Sequence, residues 1–358
     1  MRNEVELLKA LVAIPSVSGE EEAIARFTET TVRGWGLEVV RDDTGVKVTV
    51  DTCRPGRTLA FISHLDVVPP GAGWTRDPFT PIVEGDLLYG RGSGDAKASV
   101  AAMLVAAADF AEKAARRQGG TAAGRLVVIL GYGEETRNTS MGRAVASLPP
   151  IDAAVVGEPT NLEFAIAQRG LMMVDLIAHG DQRHAGYAAD GDFANAITRL
   201  AADLVKLPSL LTDRSHPILG RATVTATMVE AGVSRNVTPP VAKAVLDIRS
   251  TPSWEHPEIG ESLRRSLESE VVVTSERLVP CETPTGSALL AAARRARPEA
   301  GTFGSPTCSD WVFVRHADAI KVGPGTSRRS HTPDEAVDLP EVTAARGLYR
   351  ALAEEYLG

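Results

Sequence analysis

Five short stretches of the sequence carry side chains that can bind divalent metals or move protons. Each stands where a hydrophobic run gives way to glycine, proline or polar residues. Histidines and carboxylates are usual ligands of catalytic zinc, and a carboxylate beside a metal can act as a general base. The sequence therefore favours a hydrolase with two divalent metals, held by the stretches His64-Leu65-Asp66, Asp95-Ala96-Lys97, Glu134-Glu135, Glu158-Pro159-Thr160 and His331.

The first of these stretches has a histidine followed, two residues later, by an aspartate. Metal-bound histidines usually donate their second ring N–H to an acceptor that fixes the tautomer and the ring orientation. We expect the Asp66 carboxylate to be that acceptor for His64. The alternative is a histidine with a purely structural hydrogen bond at a strand end, and the pair alone does not decide between the two.

The second stretch begins with Asp95, the last residue of the glycine-rich segment 90–95. Such glycines can form a phosphate-binding loop, but the spacing matches neither Gly-x-x-x-x-Gly-Lys-Ser/Thr nor Gly-x-Gly-x-x-Gly. Our interpretation is instead that the glycines let the backbone crowd around a carboxylate that bridges two metals.

The remaining stretches each have a simpler alternative. Glu134 and Glu135 can form a solvated acidic turn, Glu158 an ordinary turn and His331 a surface loop. Two adjacent carboxylates repel each other, however, unless cations are near. With metals present, one of them can bind a metal while the other takes a proton from water. The presence of all five stretches in one chain favours the metal site.

The elements that must position these residues alternate between strands and helices. Apolar runs predict buried strands over residues 59–63, 126–130 and 153–156, and an alanine-rich helix begins after Asp95. In an α/β sheet covered by helices, ligands bind outside the carboxyl ends of the strands, so these side chains can meet at one edge. Near the start of the chain, Ser18 and Glu21 predict a capping box for a helix.

The pattern changes after about residue 169. Strand, helix, two strands, helix and strand then follow in order, which is the order of a ferredoxin-like unit. We therefore predict an α/β protein with a catalytic domain in two parts, residues 1–168 and 280–358. The inserted ferredoxin-like (βαββαβ) domain spans residues 169–279.

Composition narrows the class of protein further. The chain has 358 residues, 44% of them hydrophobic, and a formal net charge of −8 without a basic face, so we expect no nucleic-acid partner. No apolar run approaches the roughly 20 residues that cross a bilayer, so we expect no membrane partner. The first residues lack the apolar core of a signal peptide, and three scattered cysteines favour the reducing cytoplasm. We expect a cytoplasmic protein.

The motifs together resemble those of the M20 metallopeptidases. The resemblance rests on five motifs that follow one another in the family's order along nearly the whole chain. They are His64-Leu65-Asp66, Asp95-Ala96-Lys97, Gly133-Glu134-Glu135, Gly157-Glu158-Pro159-Thr160 and His331-Thr332-Pro333-Asp334-Glu335. Within that family the chain is most similar to the acetylornithine deacetylase and succinyl-diaminopimelate desuccinylase branch. The resemblance implies a zinc-peptidase-like α/β/α catalytic domain with an inserted lid that also serves for dimerisation.

The resemblance also implies a role for each metal-site residue. Asp95 would bridge two Zn²⁺ ions, for which Co²⁺ or Mn²⁺ can substitute, and the Asp95–Ala96 peptide would be cis. Glu134 would be the general base, and Asp66 would orient a metal-bound histidine. The other ligands would divide between the two metals, with Glu135 and His331 on one and His64 and Glu158 on the other.

Residues outside the metal site receive roles from the same resemblance. His184 would reach the site of a partner subunit and stabilise the oxyanion, which implies a homodimer formed through the lid. Asn236 and Arg249 would bind substrate, with the Arg249 guanidinium binding a carboxylate. A surface ion pair is the equal alternative for Arg249. Gly323 would belong to a loop that lines the substrate pocket.

The function predicted from these residues and this resemblance is amide hydrolysis. Water activated by two metals would remove an acetyl or succinyl group from an N-acyl amino acid, in arginine or lysine biosynthesis. A dipeptidase or carboxypeptidase of the same family is the first alternative. A non-catalytic paralogue that keeps the fold is the second, and the intact Glu134 argues against it.

Overall fold

The computed structural model describes residues 2–116, 122–136, 138–190 and 193–358. These residues form two compact units. The first unit contains the chain up to Ile166 together with Thr283–Phe303 and Ser309–Gly358. The second contains Ala167–Glu282 and the short segment Gly304–Cys308. The second unit is therefore an insertion within the first, and each is described here by itself.

The described residues contain eight α-helices and twenty strands. The helices are α1 Glu4–Val12, α2 Glu22–Gly34, α3 Lys97–Arg116, α4 Ser140–Ala146, α5 Ala196–Lys206, α6 His256–Ser266, α7 Ala288–Ala296 and α8 Leu339–Leu357. The strands are β1 Glu38–Asp42, β2 Gly45–Asp51, β3 Arg57–His64, β4 Ile82–Glu84, β5 Leu87–Tyr89, β6 Gly124–Gly131, β7 Ala153–Val156, β8 Phe164–Gln168, β9 Gly170–His179, β10 Arg183–His184, β11 Ser215–His216, β12 Gly220–Arg221, β13 Thr223–Ala231, β14 Val237–Thr238, β15 Val241–Ser250, β16 Glu270–Leu278, β17 Cys281–Glu282, β18 Thr302–Ser305, β19 Asp318–Lys321 and β20 Ala336–Asp338.

A mixed sheet forms the centre of the first unit. Seven of its strands pair in the order β1-β2-β6-β3-β7-β19-β8, and the four strands β6, β3, β7 and β19 are parallel to their neighbours within that group. His64 lies opposite Gly131, and Ile62 lies opposite Val156. The carboxyl ends of β3, β6 and β7 therefore meet at one edge of the sheet, as the sequence predicted.

Helices cover both faces of this sheet. Successive residues of β3 and β7 are buried, which requires packed elements on both sides. Helices α1, α3, α7 and α8 share one large apolar core with the strands, and Phe61 of β3 lies 5.5 Å from Tyr349 of α8 between ring centroids. The first unit is thus an α/β/α arrangement, and the α/β prediction is confirmed.

The second unit has a four-stranded antiparallel sheet with the order β13-β15-β9-β16. Its chain order is β9, α5, β13, β15, α6 and β16, apart from short strands and turns, which is the βαββαβ order of a ferredoxin-like unit. Alternate residues of β9, such as Val174, are buried in a core that includes Leu200 of α5 and Leu263 of α6. The alternation arises because helices cover only one face of this sheet.

The start of the second helix differs from the sequence-based prediction. Helix α2 begins at Glu22, Glu21 is its N-cap residue, and no side chain caps it. Ser18 does not cap the helix; its Oγ donates a hydrogen bond to Asp66 Oδ2 at 2.7 Å. The capping-box prediction was wrong because the helix begins at Glu22, so that Ser18 lies three residues before the N-cap position.

None of the helices in the described parts of the chain is long and apolar enough to cross a membrane.

Candidate active site

The five predicted stretches meet at the carboxyl edge of the parallel strands. His64 is the last residue of β3, and the Glu134-Glu135 pair begins three residues after β6 ends. Glu158 follows β7 by two residues, and Asp95 lies just before α3. His331 comes from the loop that precedes β20. All five belong to the first unit, so one folded body brings them together.

Asp95 lies at the centre of this group because its two carboxylate oxygens face different histidines. Its Oδ1 is 3.3 Å from His64 Nε2, and its Oδ2 is 3.7 Å from His331 Nε2. His331 Nε2 is also 2.9 Å from Glu135 Oε1, and His64 Nε2 is 3.9 Å from Glu158 Oε1. Each oxygen of Asp95 therefore belongs to one histidine–glutamate pair, which is the arrangement of a carboxylate that bridges two metals. The Asp95–Ala96 peptide is cis, as the resemblance implied.

Most of these side chains are withdrawn from solvent. The His64 side chain is 1% exposed and those of Glu135, Asp95 and Glu158 are 8–13% exposed, whereas that of His331 is 51% exposed. One ligand atom each from His64, Asp95 and Glu135 lies within 4.8 Å of the others. The site thus has a buried floor and one more accessible histidine at its rim.

The electrostatics of the cluster fit divalent cations. Burial, together with the nearby Asp95, raises the pKa of Glu158 from 4.5 to about 8. Glu158 Oε1 is buried and has no hydrogen-bond partner among the described residues. A buried carboxylate oxygen without a donor is costly, and a cation in contact with it removes that cost. The donor set of two histidines and three carboxylates therefore fits two metal ions.

The Asp66 carboxylate differs in part from its expected role. His64 Nδ1 is 3.0 Å from the backbone carbonyl oxygen of Asp66 but 3.5 Å from its carboxylate Oδ1. The carbonyl is the acceptor within normal hydrogen-bond distance. The tautomer with hydrogen on Nδ1 leaves Nε2 free to bind a metal. Residue 66 thus orients the ring mainly through its backbone.

The Asp66 carboxylate instead holds the turn that carries the two glutamates. It is fully buried, and it accepts the backbone N–H groups of Glu134 at 3.0 Å and Glu135 at 3.1 Å. Ser18 donates to the same carboxylate, and Glu21 Oε1 accepts the N–H of Gly133 at 3.1 Å. Ser18 and Glu21 therefore support the site, and local sequence patterns gave no signal of this.

Glu134 lies close to the cluster, and its surroundings raise the pKa of its carboxyl group. Burial raises its pKa well above 4.5, and the charges of Glu158, Asp310 and Glu135 raise it further while His64 opposes them. Asn138 Nδ2 is 3.4 Å from Glu134 Oε1, a long contact that leaves the carboxylate accessible to another partner. A raised pKa near the site of reaction is typical of a general base that works close to neutral pH.

Asp310 is a further buried acid of the first unit. It begins the 3-10 helix Asp310–Val314 and is 1% exposed. Burial raises its pKa from 3.8 to about 7, and the Asp66 charge also raises it, whereas His64 and Asn138 lower it. Local sequence patterns do not show that Asp310 is buried, because its burial results from tertiary packing.

In the first unit, the backbone of Gly323 packs against the backbone of Glu158. A side chain at Gly323 would meet Ser99 Oγ at 2.4 Å and the Glu158 carbonyl oxygen at 2.6 Å, so only glycine fits. Its carbonyl oxygen accepts the N–H groups of Thr160 and Leu162. Gly323 therefore holds the turn that carries Glu158, and its predicted contact with substrate stays a prediction.

The other predicted substrate residues belong to the second unit. Strand β10 pairs with β14, and this places the exposed His184 opposite Val237. The backbone N–H of Ala185, the residue after His184, donates to the carbonyl oxygen of Asn236. His184 and Asn236 are thus close to each other. Arg249 lies on β15, where its guanidinium binds Asp247. Their roles in substrate binding stay predictions.

Comparison with known proteins identifies the family. The model of "Peptidase family M20/M25/M40" matches residues 60–355. A succinyl-diaminopimelate desuccinylase of Cereibacter sphaeroides is 31% identical over 389 residues, which cover 98% of each chain.

Solved structures share the fold. The aminopeptidase PepT of Bacillus cereus has a TM-score of 0.81 at 21% identity and covers 99% of this chain and 98% of its own. A Bacillus subtilis protein described as a dinuclear metal binding peptidase from the M20 family has a TM-score of 0.77 at 17% identity, with 99% and 97% covered. Since the family model spans most of the sequence, the chain belongs to peptidase family M20/M25/M40 and is a hydrolase.

Proposed function

We propose that this protein is a cytoplasmic di-zinc amidohydrolase that removes an acyl group from an N-acyl amino acid in arginine or lysine biosynthesis. The observation that carries this proposal is the Asp95 carboxylate shared between His64 and His331, with the half-buried Glu134 close to them. The desuccinylase relative, which matches along its whole length, favours a succinyl group over an acetyl group.

The chain's own residues would hold the metals as two sets that share Asp95. Glu135 and His331 would hold one ion, and His64 and Glu158 the other, with Co²⁺ or Mn²⁺ as substitutes for Zn²⁺. When bound, the ions polarise the amide carbonyl and lower the pKa of water towards neutrality. The contacts of 2.9 Å between His331 and Glu135 and 3.9 Å between His64 and Glu158 support this division.

Glu134 would carry the proton. Its carboxylate takes a proton from the attacking water as the water oxygen adds to the amide carbon. It then gives that proton to the amine nitrogen as the carbon–nitrogen bond breaks. The products are a carboxylate and a free amino acid. Burial, which raises the pKa of Glu134, supports both steps, because the carboxyl must both accept and release a proton.

His184 would donate a hydrogen bond to the oxyanion that develops on the carbonyl oxygen. The N–H of Gly186 donates to His184 Nδ1 at 3.0 Å, so in the neutral ring the proton is on Nε2. The exposed Nε2–H is then available as a donor. We propose that it acts in the site of a partner subunit, within a homodimer formed through the second unit.

Arg249 would bind a carboxylate of the amino-acid substrate. Its Nε and one terminal nitrogen bind the two oxygens of Asp247 at 2.7 and 3.0 Å. This side-on pair leaves the end-on edge of the guanidinium free to bind a second carboxylate with two hydrogen bonds. Asp247 thus fixes the direction of the guanidinium, and Asn236 would add a polar contact to the substrate.

A panel of hydrolysis assays tests the proposal. Zinc-loaded enzyme is offered N-succinyl-diaminopimelate, N-acetylornithine, N-acetyllysine and two dipeptides, each with and without a chelator. We expect chelator-sensitive release of an acyl group from an N-acyl amino acid. Turnover of dipeptides alone would reject the deacylase proposal and favour the peptidase alternative. The fold is shared with the aminopeptidase PepT, which is why dipeptides are included in the panel.

A further inference from the structure

The glycine-rich segment before Asp95 encloses a carboxylate of the protein itself. Glu335 Oε1 accepts the N–H groups of Gly94 and Asp95, each at 3.0 Å. Glu335 Oε2 accepts the N–H of Gly92 at 2.9 Å. The backbone donors that could bind a phosphate in a glycine-rich loop therefore bind Glu335. The phosphate-loop alternative is excluded by these contacts.

A buried ion pair completes the surroundings of this carboxylate. Arg91 donates to Glu335 Oε2 at 2.7 Å, and both side chains are 1% exposed. The Arg91 guanidinium also lies 5.0 Å from the centre of the Trp74 ring and donates to the carbonyl oxygen of Pro70 at 3.3 Å. Four donors thus surround Glu335 and offset part of the cost of burying its charge, although burial still raises its pKa.

Glu335 connects two segments that carry metal ligands. Asp95 is bonded to it directly through its backbone N–H, and His331 precedes it by four residues. The backbone carbonyl oxygen of Glu335 also accepts the N–H of Gly90 at 2.9 Å, so the connection is made by main chain and side chain together. His331 itself has a positive φ of 63°, a conformation that needs support from its surroundings.

We propose that Glu335 is a positioning residue that sets the metal affinity of the site by holding the Asp95 and His331 segments at a fixed separation. This rests on the proposed function, since it assumes that Asp95 and His331 bind metal. It adds to that function a residue that touches neither metal nor substrate. The contacts that orient metal ligands commonly change metal affinity by about 10- to 100-fold when they are removed.

The variant Glu335→Gln tests this inference. The amide replaces one acceptor oxygen by an N–H₂ donor, which faces either the Gly94 and Asp95 donors or the Gly92 and Arg91 donors. One pair of donors loses its acceptor, and the segment should shift. Zinc affinity is measured by competition with a chromogenic chelator, without any substrate. We expect affinity to fall about 10- to 100-fold, and kcat to fall more than KM changes.

A matched control separates metal positioning from loss of stability. Glu4 is also buried, at 4% exposure, and its Oε2 accepts a hydrogen bond from Arg346 at 2.8 Å, but its contacts lie among α1, α3 and α8. Glu4→Gln should lower the melting temperature and leave zinc affinity unchanged. If Glu335→Gln does not fold, Glu335→Asp keeps the charge but is too short to reach both pairs of donors, and the same fall in zinc affinity is expected.

Wild-type zinc affinity in a folded Glu335 variant would overturn the inference. A fall of equal size in Glu4→Gln would overturn it too, because the effect would then follow general stability. The outcome is independent of the substrate panel. A protein that binds zinc through Glu335-supported ligands but hydrolyses no N-acyl amino acid would reject the proposed function and retain this inference.

Discussion

The two units hold their candidate functional residues in contrasting ways. In the first unit, Asp66 and Glu335 are buried carboxylates that each accept backbone N–H groups from the segments carrying ligands. In the second unit, His184 and Asn236 are exposed, and each has one side-chain hydrogen bond from a residue two positions away. The proposed metal ligands are thus held by hydrogen bonds from distant segments, whereas the proposed substrate residues have only short-range ones.

This difference separates chemistry from recognition. A rigid, buried site keeps its geometry without ligand, and such sites support catalysis because little reorganisation is needed. Exposed residues with few partners adapt to a ligand and contribute mainly to its binding. Substitutions in the first unit should therefore lower kcat or metal content, and those in the second should act on substrate or transition-state binding with the metals retained.

The largest effect is expected from Glu134→Gln. The amide cannot accept the proton from water, and removal of a general base commonly lowers the rate by about 100- to 10,000-fold. We predict a fall in kcat of about 1,000-fold or more, with bound zinc unchanged, measured by steady-state assay and elemental analysis. The control is Glu261→Gln, at an exposed position of α6. A loss of zinc in Glu134→Gln would instead make Glu134 a ligand.

The next largest effect is expected from His184→Ala. Loss of one oxyanion donor commonly lowers kcat by about 100- to 1,000-fold. We predict such a fall with zinc content unchanged, because all the proposed metal ligands lie in the first unit. Exposed His316 provides the control His316→Ala. If light scattering shows that the active enzyme is a monomer, the role of His184 in a partner's site is wrong.

A smaller effect is expected from Arg249→Met. A hydrogen bond to a charged group contributes about 1.5–3 kcal/mol, which corresponds to roughly 10- to 150-fold in binding. We predict that KM for an N-acyl amino acid rises by about that factor while kcat changes little. Asp247→Asn should raise KM less, since the guanidinium keeps its charge and loses only its fixed direction. Equal KM values for wild type and Arg249→Met would show that Arg249 is only a surface ion pair; Arg265→Met is the control.

The smallest effect concerns the stability of the metal-free protein. The pKa of Asp310 is raised from 3.8 to about 7 in the folded state, so the folded protein binds this proton more tightly than the unfolded chain does. The contribution of Asp310 to the free energy of unfolding therefore falls as pH rises from about 4 to about 7. We predict that the melting temperature of metal-free protein falls between pH 5 and pH 8.

The variant Asp310→Asn isolates this contribution. It removes the titrating group, so its melting temperature should fall less over the same pH range than that of the wild type. Asp213→Asn, at an exposed position, should follow the wild type. Identical pH profiles for Asp310→Asn and wild type would show that another group is responsible.

The features that could be predicted from the sequence are those that depend on local patterns of residues. Apolar runs followed by histidine or carboxylate predicted the carboxyl edge of the parallel sheet, and the strand predicted over residues 59–63 spans Arg57–His64. The ferredoxin-like order was also readable, because periodicity is a local property of the chain. Local patterns suffice where an element and its ligand are neighbours in sequence.

Long-range partners were not predictable in this way. Ser18 and Glu21 match a capping box, yet they bond to residues 48 and 112 positions away. Glu335 matches a motif position, but only the folded chain shows that it binds donors about 240 residues earlier. Which donor meets which acceptor depends on tertiary packing, and a buried polar group takes whatever partner the fold supplies.

Metal stoichiometry tests the central claim most directly. Zinc binding is measured by equilibrium dialysis for wild type, Glu134→Gln and Asp95→Asn, with the chain concentration determined independently. If Asp95 bridges two ions and Glu134 binds neither, wild type and Glu134→Gln will each hold two zinc ions per chain, and Asp95→Asn will hold fewer. A single ion in the wild type, or two ions retained at full affinity in Asp95→Asn, would contradict the account.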